Sequence, residues 1–261
     1  MKRDLTDRII ASRWALLSLR VAFGVLVVAV WWLLVSSGTI KDYVLASPPQ
    51  VVSSLRTLFS GGAIWHDIGA TLLVTLAGFA GGVVIGTVLG VLSGTVPWLG
   101  YYFRPFFSFF NSVPRLVLIP VLIVWLGFGF EMQSTVVLLV IVFLIAITVE
   151  AGVGEIQGDL VRNARVLGAS WPQLMRTVFI PGVGIWIISV SRQSIGHAFT
   201  AAVVAEFFGA ALGLGALINT GQQEFDTPQI YAAIVITAVL ALLADQLLKL
   251  ADRRVGQYLV R

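Results

Sequence analysis

Cysteine is absent from all 261 residues, which removes disulfides, thiolate metal sites and thiol redox chemistry together. Histidine is nearly absent as well. His66 and His197 stand apart, with no spacing that puts two metal ligands on one helical face, so no metal and no other cofactor is expected. The sequence has no GxxxxGK[ST] run to cradle a nucleotide, and any ATP used must therefore be hydrolysed by another subunit. No nucleophile and base pair at sensible spacing suggests an enzyme. Charge is scarce too, at 11% of residues, and the net +4 asks for no nucleic-acid partner.

What fills the chain instead is apolar. With 58% hydrophobic residues and a mean hydropathy of +0.94, it reads as an all-α membrane protein. Runs of about 17 to 25 apolar residues span a hydrocarbon core roughly 30 Å thick. Six such segments stand out, at residues 21–37, 68–94, 106–128, 133–149, 182–207 and 230–248. They make residues 21–250 one membrane domain, between a cytoplasmic amphipathic segment at 1–20 and a cytoplasmic tail at 251–261.

Positive charge orients the bundle, because Lys and Arg of short loops collect on the cytoplasmic side. With the N-terminus inside, thirteen of the 17 basic residues are cytoplasmic, among them Lys2, Arg3, Arg104, Arg162, Arg165, Arg176 and Lys249. Only Lys41 and Arg56 fall outside, and Arg115 and Arg192 lie within spans, which predicts N-in and C-in. The first apolar run is expected to be a retained span, since no AxA-like cleavage site follows it.

Smaller patterns locate candidate sites. Residues 2–20 alternate charge with Leu5, Ile9, Ile10, Trp14 and Leu17, as suits a helix lying on the inner membrane surface. Ser47, Pro48 and Pro49 mark a helix start, and Gly61 and Gly62 its end, in a segment read as an interfacial helix or a plain connecting loop. In the second span Gly78, Gly82, Gly86, Gly90 and Gly94 recur every four residues, a glycine face for close helix packing. Packing within the chain is favoured over packing across a dimer, with winding that suits a crossed pair.

The third span carries Asn111, Pro114, Arg115 and Pro120, and both prolines are expected to distort it. Arg115 is either a pathway residue that attracts an anion or an arginine that snorkels or pairs with an acid. The fifth span holds Arg192, Gln193, His197 and Thr200, the last three on one face, ahead of Glu206. Arg192 and Glu206 are about 21 Å apart along the helix, so each needs its own partner.

Residues 154–179 form the one long basic interruption between spans. Leu160, Ala164 and Leu167 are placed on one side of a short amphipathic helix fit for a partner's groove, with Gly168 allowing a bend and Ser170 capping the next turn. The run RNARVLGASWPQLMRTVFIPG, then SVSRQSIGHAFTAAVVAEFFGAALGLGALI, resembles the EAA loop and adjoining span of binding-protein-dependent ABC importer permeases. ASPPQVV and NSVPRLVLIPVLIVWLGFG support the same resemblance, which is strongest to the nitrate, sulfonate, taurine and bicarbonate group.

The resemblance implies a type I importer permease fold in a bacterial inner membrane. It further implies two ATP-binding-cassette ATPase subunits, a second permease chain in a homodimer, and an extracytoplasmic solute-binding protein as partners. Arg162, Asn163, Ala164, Arg165, Gly168, Ala169 and Ser170 would form the coupling segment, and the cargo would be a small anion. The family pattern opens on Glu where this chain has Arg162. Relatives in the group also import pyrimidine or flavin precursors, and an ion-coupled secondary transporter is a further alternative, although no matching halves are visible.

Overall fold

A computed structural model describes residues 13–156 and 159–259, which contain helices and connecting turns and no strand. The helices are α1 (Arg13–Ser36), α2 (Pro48–Gly61), α3 (Ile64–Thr95), α4 (Pro97–Ser112), α5 (Ile119–Leu126), α6 (Phe130–Ile156), α7 (Asp159–Val166), α8 (Trp171–Leu174), α9 (Ile180–Phe207), α10 (Leu214–Gln223) and α11 (Thr227–Leu259). Among the described residues five helical runs are long and apolar enough to cross a membrane, and a bent pair, Pro97–Ser112 with Arg115–Leu126, makes six if it is counted as one span. The expected surface segment at 1–20 lies outside the described residues up to position 12. From Arg13 the chain is already helical and runs unbroken into the first span.

Contacts divide the chain into a smaller unit, containing α1, α2 and Gly221–Ala232, and a larger unit holding the helices between Ala63 and Thr220 and the run from Ala233. In the smaller unit α1 keeps Phe23 and Leu33 two-thirds exposed, as an apolar helix meant for lipid would. The α2 helix forms where the prolines announced it. Ser47 donates its backbone N–H and its hydroxyl to Gln50 Oε1, each at 2.7 Å, and Gly62 closes the helix in the left-handed region at φ 75°. Ala46, Val51 and Ala232 make a small core, with Trp31 Nε1 donating to Ala46 O at 2.9 Å.

The larger unit is organised by α3 and α6. At Gly78, Gly82, Gly86, Gly90 and Gly94 an added Cβ would lie 2.5 to 2.8 Å from the Cβ atoms of Val137, Ile141, Ile145, Val149 and Val153 respectively. The strip therefore packs within the chain, against a matching strip of buried β-branched residues that advances by the same four-residue step in the same direction. Those stiff side chains have little freedom to turn aside. The contact persists at all five glycines, so the helices run alongside one another over the length of the strip.

The third expected span, 106–128, is not one helix. The chain bends by 87° between Pro97–Ser112 and Arg115–Leu126. Pro114 causes the break: it lacks an N–H, and it forces Val113 into extended geometry at φ −77°, ψ 128°. Pro120, also expected to distort the span, sits in the first turn of α5, where a missing N–H costs nothing.

Candidate functional site

Arg115 opens a short 3-10 turn, Arg115–Leu118, immediately after the break. The bend turns its guanidinium back over the end of α4. Nε donates to Phe110 O at 3.2 Å, Nη1 to Val140 O of α6 at 3.0 Å, and Nη2 to Asn111 Oδ1 at 2.7 Å. The Phe110 carbonyl lies in the last turn of α4, where helix carbonyls lack internal partners and a cation is favoured. Phe110 stacks on Phe143 of α6 with ring centroids 4.6 Å apart, which holds this corner of the bundle together.

Asn111, Arg115, His197 and Thr200 line one cavity of about 410 Å³ whose other walls include Val113 and Val140. The structure thus brings together three of the five predicted pathway residues. The other two separate from them. Arg192 Nε lies 3.7 Å from Asp245 Oδ1, and Lys249 also pairs with Asp245. Gln193 is exposed on α9 and does not line the cavity. It shares a face with His197, but the two are about 6 Å apart along the axis, and α9 lines the cavity through His197, Thr200 and Ala201.

The interruption between α6 and α9 contains the predicted coupling residues. Arg162, Asn163, Ala164 and Arg165 belong to α7, with the Arg162 side chain outside the described part. The helix closes through a paired hydrogen-bond motif: Gly168 N donates to Arg165 O at 2.9 Å and Ala169 N to Ala164 O at 3.0 Å. Gly168 has φ 81°, the left-handed conformation this ending requires. Ser170 then starts α8, its N–H and hydroxyl both donating to Gln173 Oε1, at 2.8 and 2.9 Å. One continuous helical run leads from Pro172 through a wider π turn, Met175–Phe179, to Phe207.

Leu167 N donates to Asn163 O at 3.1 Å, one more helical bond before the turn, yet Ala164 and Leu167 meet different surroundings. Val161 is buried and Ala164 and Ala169 pack on the protein's own core, whereas Val166 and Leu167 are 83% and 86% exposed. Among the described side chains of this segment, the apolar ones left exposed are therefore those at the turn.

A buried polar cluster was only half visible in the sequence. Glu206, wholly buried, accepts through Oε2 from Thr71 Oγ1 and from Gly215 N, each at 2.9 Å. Leu214 N donates to Thr71 Oγ1 and Gly213 N to Asp67 Oδ1, also at 2.9 Å. Glu206 and Arg192 thus have separate partners, as their spacing required. The signal for Asp67 and Thr71 was their i, i+4 placement in an apolar span; nothing marked the amides they receive.

Residues 82–257 match the signature of the family described as binding-protein-dependent transport system inner membrane component. The chain belongs to that family. It is an ABC importer permease of the bacterial inner membrane, and membership sets aside the secondary-transporter alternative. An ABC transporter permease protein of Brucella melitensis is 32% identical, over 87% of this permease and 92% of its own length. The taurine transport system permease of Escherichia coli is 27% identical over 97% of this permease and 95% of its own length. The riboflavin transport system permease of Chloroflexus aurantiacus is 30% identical, covering 92% and 89%. Among solved structures, an inward-facing form of the MetNI methionine ABC transporter aligns with a TM-score of 0.62 at 21% identity, over 76% of this permease and 97% of that chain. The permease therefore has the type I importer fold.

Proposed function

We propose that the permease forms the membrane pathway of an ATP-driven importer for small sulfonates of the taurine class. It works with two ATPase subunits, a second copy of itself and an external solute-binding protein. Its N- and C-termini face the cytoplasm, in keeping with the inner-side excess of Lys and Arg. The observation that carries the cargo class is Arg115, a cation on the wall of the cavity with no acid beside it among the described residues, in a chain related over nearly its whole length to a taurine permease. Asn111, Arg115 and His197 line the pathway. Arg192 braces α9 against α11 through Asp245.

Coupling runs through residues 154–179. The ATPase receives the turn that presents Val166, Leu167 and Gly168, together with Asn163 and Arg165, which are exposed on the same segment. A push there travels along the continuous helical run to Phe207 as a rigid-body movement. The test is uptake of radiolabelled taurine into proteoliposomes holding the permease, its ATPase and its binding protein. Uptake that needs ATP supports the reading, and riboflavin uptake without taurine uptake replaces it. The riboflavin permease relative favours that second reading, as do the apolar side chains that share the cavity wall.

A further inference from the structure

Two other arginines at helix positions of the larger unit have carboxylates close by: Arg104 lies 2.7 Å from Glu150 and Arg192 lies 3.7 Å from Asp245. Arg115 is different in kind. Its three hydrogen-bond partners, Phe110 O, Val140 O and Asn111 Oδ1, are all neutral acceptors, and no carboxylate among the described residues lines its cavity. The positive charge is held in place but not compensated among the described residues.

The hydrogen-bond count sharpens this. A guanidinium carries five N–H groups in a rigid planar fork. Nε–H and one N–H from each terminal nitrogen are taken, so one N–H on Nη1 and one on Nη2 remain. Three anchors from α4 and α6 fix the plane of the fork, which lowers the ordering cost of any further contact. Two donors on adjacent nitrogens suit a group that carries two or more oxygens on one atom, and such charge-assisted pairs are about twice as strong as neutral ones. The facing helix adds polarity of the opposite kind. Thr200 spends its hydroxyl hydrogen on Gly196 O at 3.0 Å, leaving its oxygen lone pairs as acceptors on the cavity wall.

We infer that Arg115 is a docking point for the oxyanion head group of the cargo, a sulfonate in the importer proposed above, and that its two remaining N–H groups select such head groups over uncharged ones. The inference rests on that functional reading for the identity of the cargo. The site is one of transit: a single bidentate contact in an open cavity holds a substrate weakly enough for release.

The lack of native cysteine makes the test clean, since Val113→Cys places one thiol on the cavity wall. The assembled complex in proteoliposomes is treated with a neutral maleimide, and the labelling rate is followed as methanesulfonate or uncharged dimethyl sulfone is added. Slowing by methanesulfonate and not by the sulfone is expected. Adding Arg115→Gln should raise the half-protecting concentration about tenfold or more, the loss anticipated for a hydrogen bond to a charged group. Arg115→Lys, which keeps charge but not the fork, should fall between. Protection that is the same for both probes, or absent with Arg115 intact, overturns the inference without relying on any Arg115 variant. Equal protection in a well-assembled Arg115→Gln complex overturns it as well. Taurine uptake by the unaltered complex is scored separately: uptake without protection removes the docking site alone, and protection without sulfonate uptake removes only the cargo assignment.

Discussion

Thr71 of α3 and Glu206 of α9 are 135 residues apart and meet at 2.9 Å, hydroxyl to carboxyl. Their bond belongs to a clasp in which the amides of Gly213, Leu214 and Gly215 donate to Asp67, Thr71 and Glu206 in turn. The start of α10 is thus capped by side chains from two other helices. Glu206 Oε1 has no partner among the described atoms, so the cluster has little to spare. Thr71→Val keeps the shape and deletes the bridge, leaving buried polar groups unmet at a cost of about 1–3 kcal/mol. A lowered midpoint in detergent thermal unfolding is expected, with Thr71→Ser close to the unaltered protein.

Gly86 faces the carbonyl of Val142 at 2.5 Å and Ile145 Cβ at 2.8 Å from where its own Cβ would be. Even Gly86→Ala should separate α3 from α6 and cost about 1–3 kcal/mol by overpacking. Gly69→Ala, in the same helix but with open space at that point, is the control and should leave the melting curve unchanged or slightly raised.

Gly168 is constrained by conformation and not by space. No atom lies within 4 Å of an added Cβ, yet φ is 81°. Gly168→Val should strain the turn by about 1–3 kcal/mol and misplace Leu167. Co-purification of the ATPase and transport-linked ATP hydrolysis should drop while the spans stay folded. Gly168→Asn should be much milder, because asparagine tolerates this region.

Leu167, 86% exposed, should tolerate a charge in the isolated chain. Leu167→Asp is expected to leave thermal unfolding unchanged and to reduce ATPase recovery by about tenfold, as when one buried apolar anchor of an interface is lost. Undiminished recovery would place the ATPase contact elsewhere on the segment.

Much of this architecture was legible in the order of residues. The long apolar runs announced the spans because every backbone polar group in lipid must be satisfied within a helix. The glycine period announced α3 as a packing helix, and Gly168 and Ser170 announced the turn and cap between α7 and α8, since each acts through local geometry. The pair Pro114 and Pro120 was harder. Two prolines of equal standing in the sequence had opposite effects, because one falls ahead of a new turn and the other inside its first turn, a position fixed only when the helix start is known.

The sequence by itself determined the class of molecule, its family and most of its long helical segments. These depend on hydropathy, on short-range conformational preference and on motifs read within a few residues of one another. The partners of each buried polar group were decided by the tertiary structure alone. Arg115 is anchored by two backbone carbonyls and one side chain, Arg192 by an acid on α11, and Glu206 by a hydroxyl from the distant α3 and an amide nine residues further on. Backbone carbonyls and amides are the same at every position and leave no mark in a sequence. Only folding, by bringing the end of α4 against α6 and the start of α10 against α3 and α9, chose which of them would meet a charge.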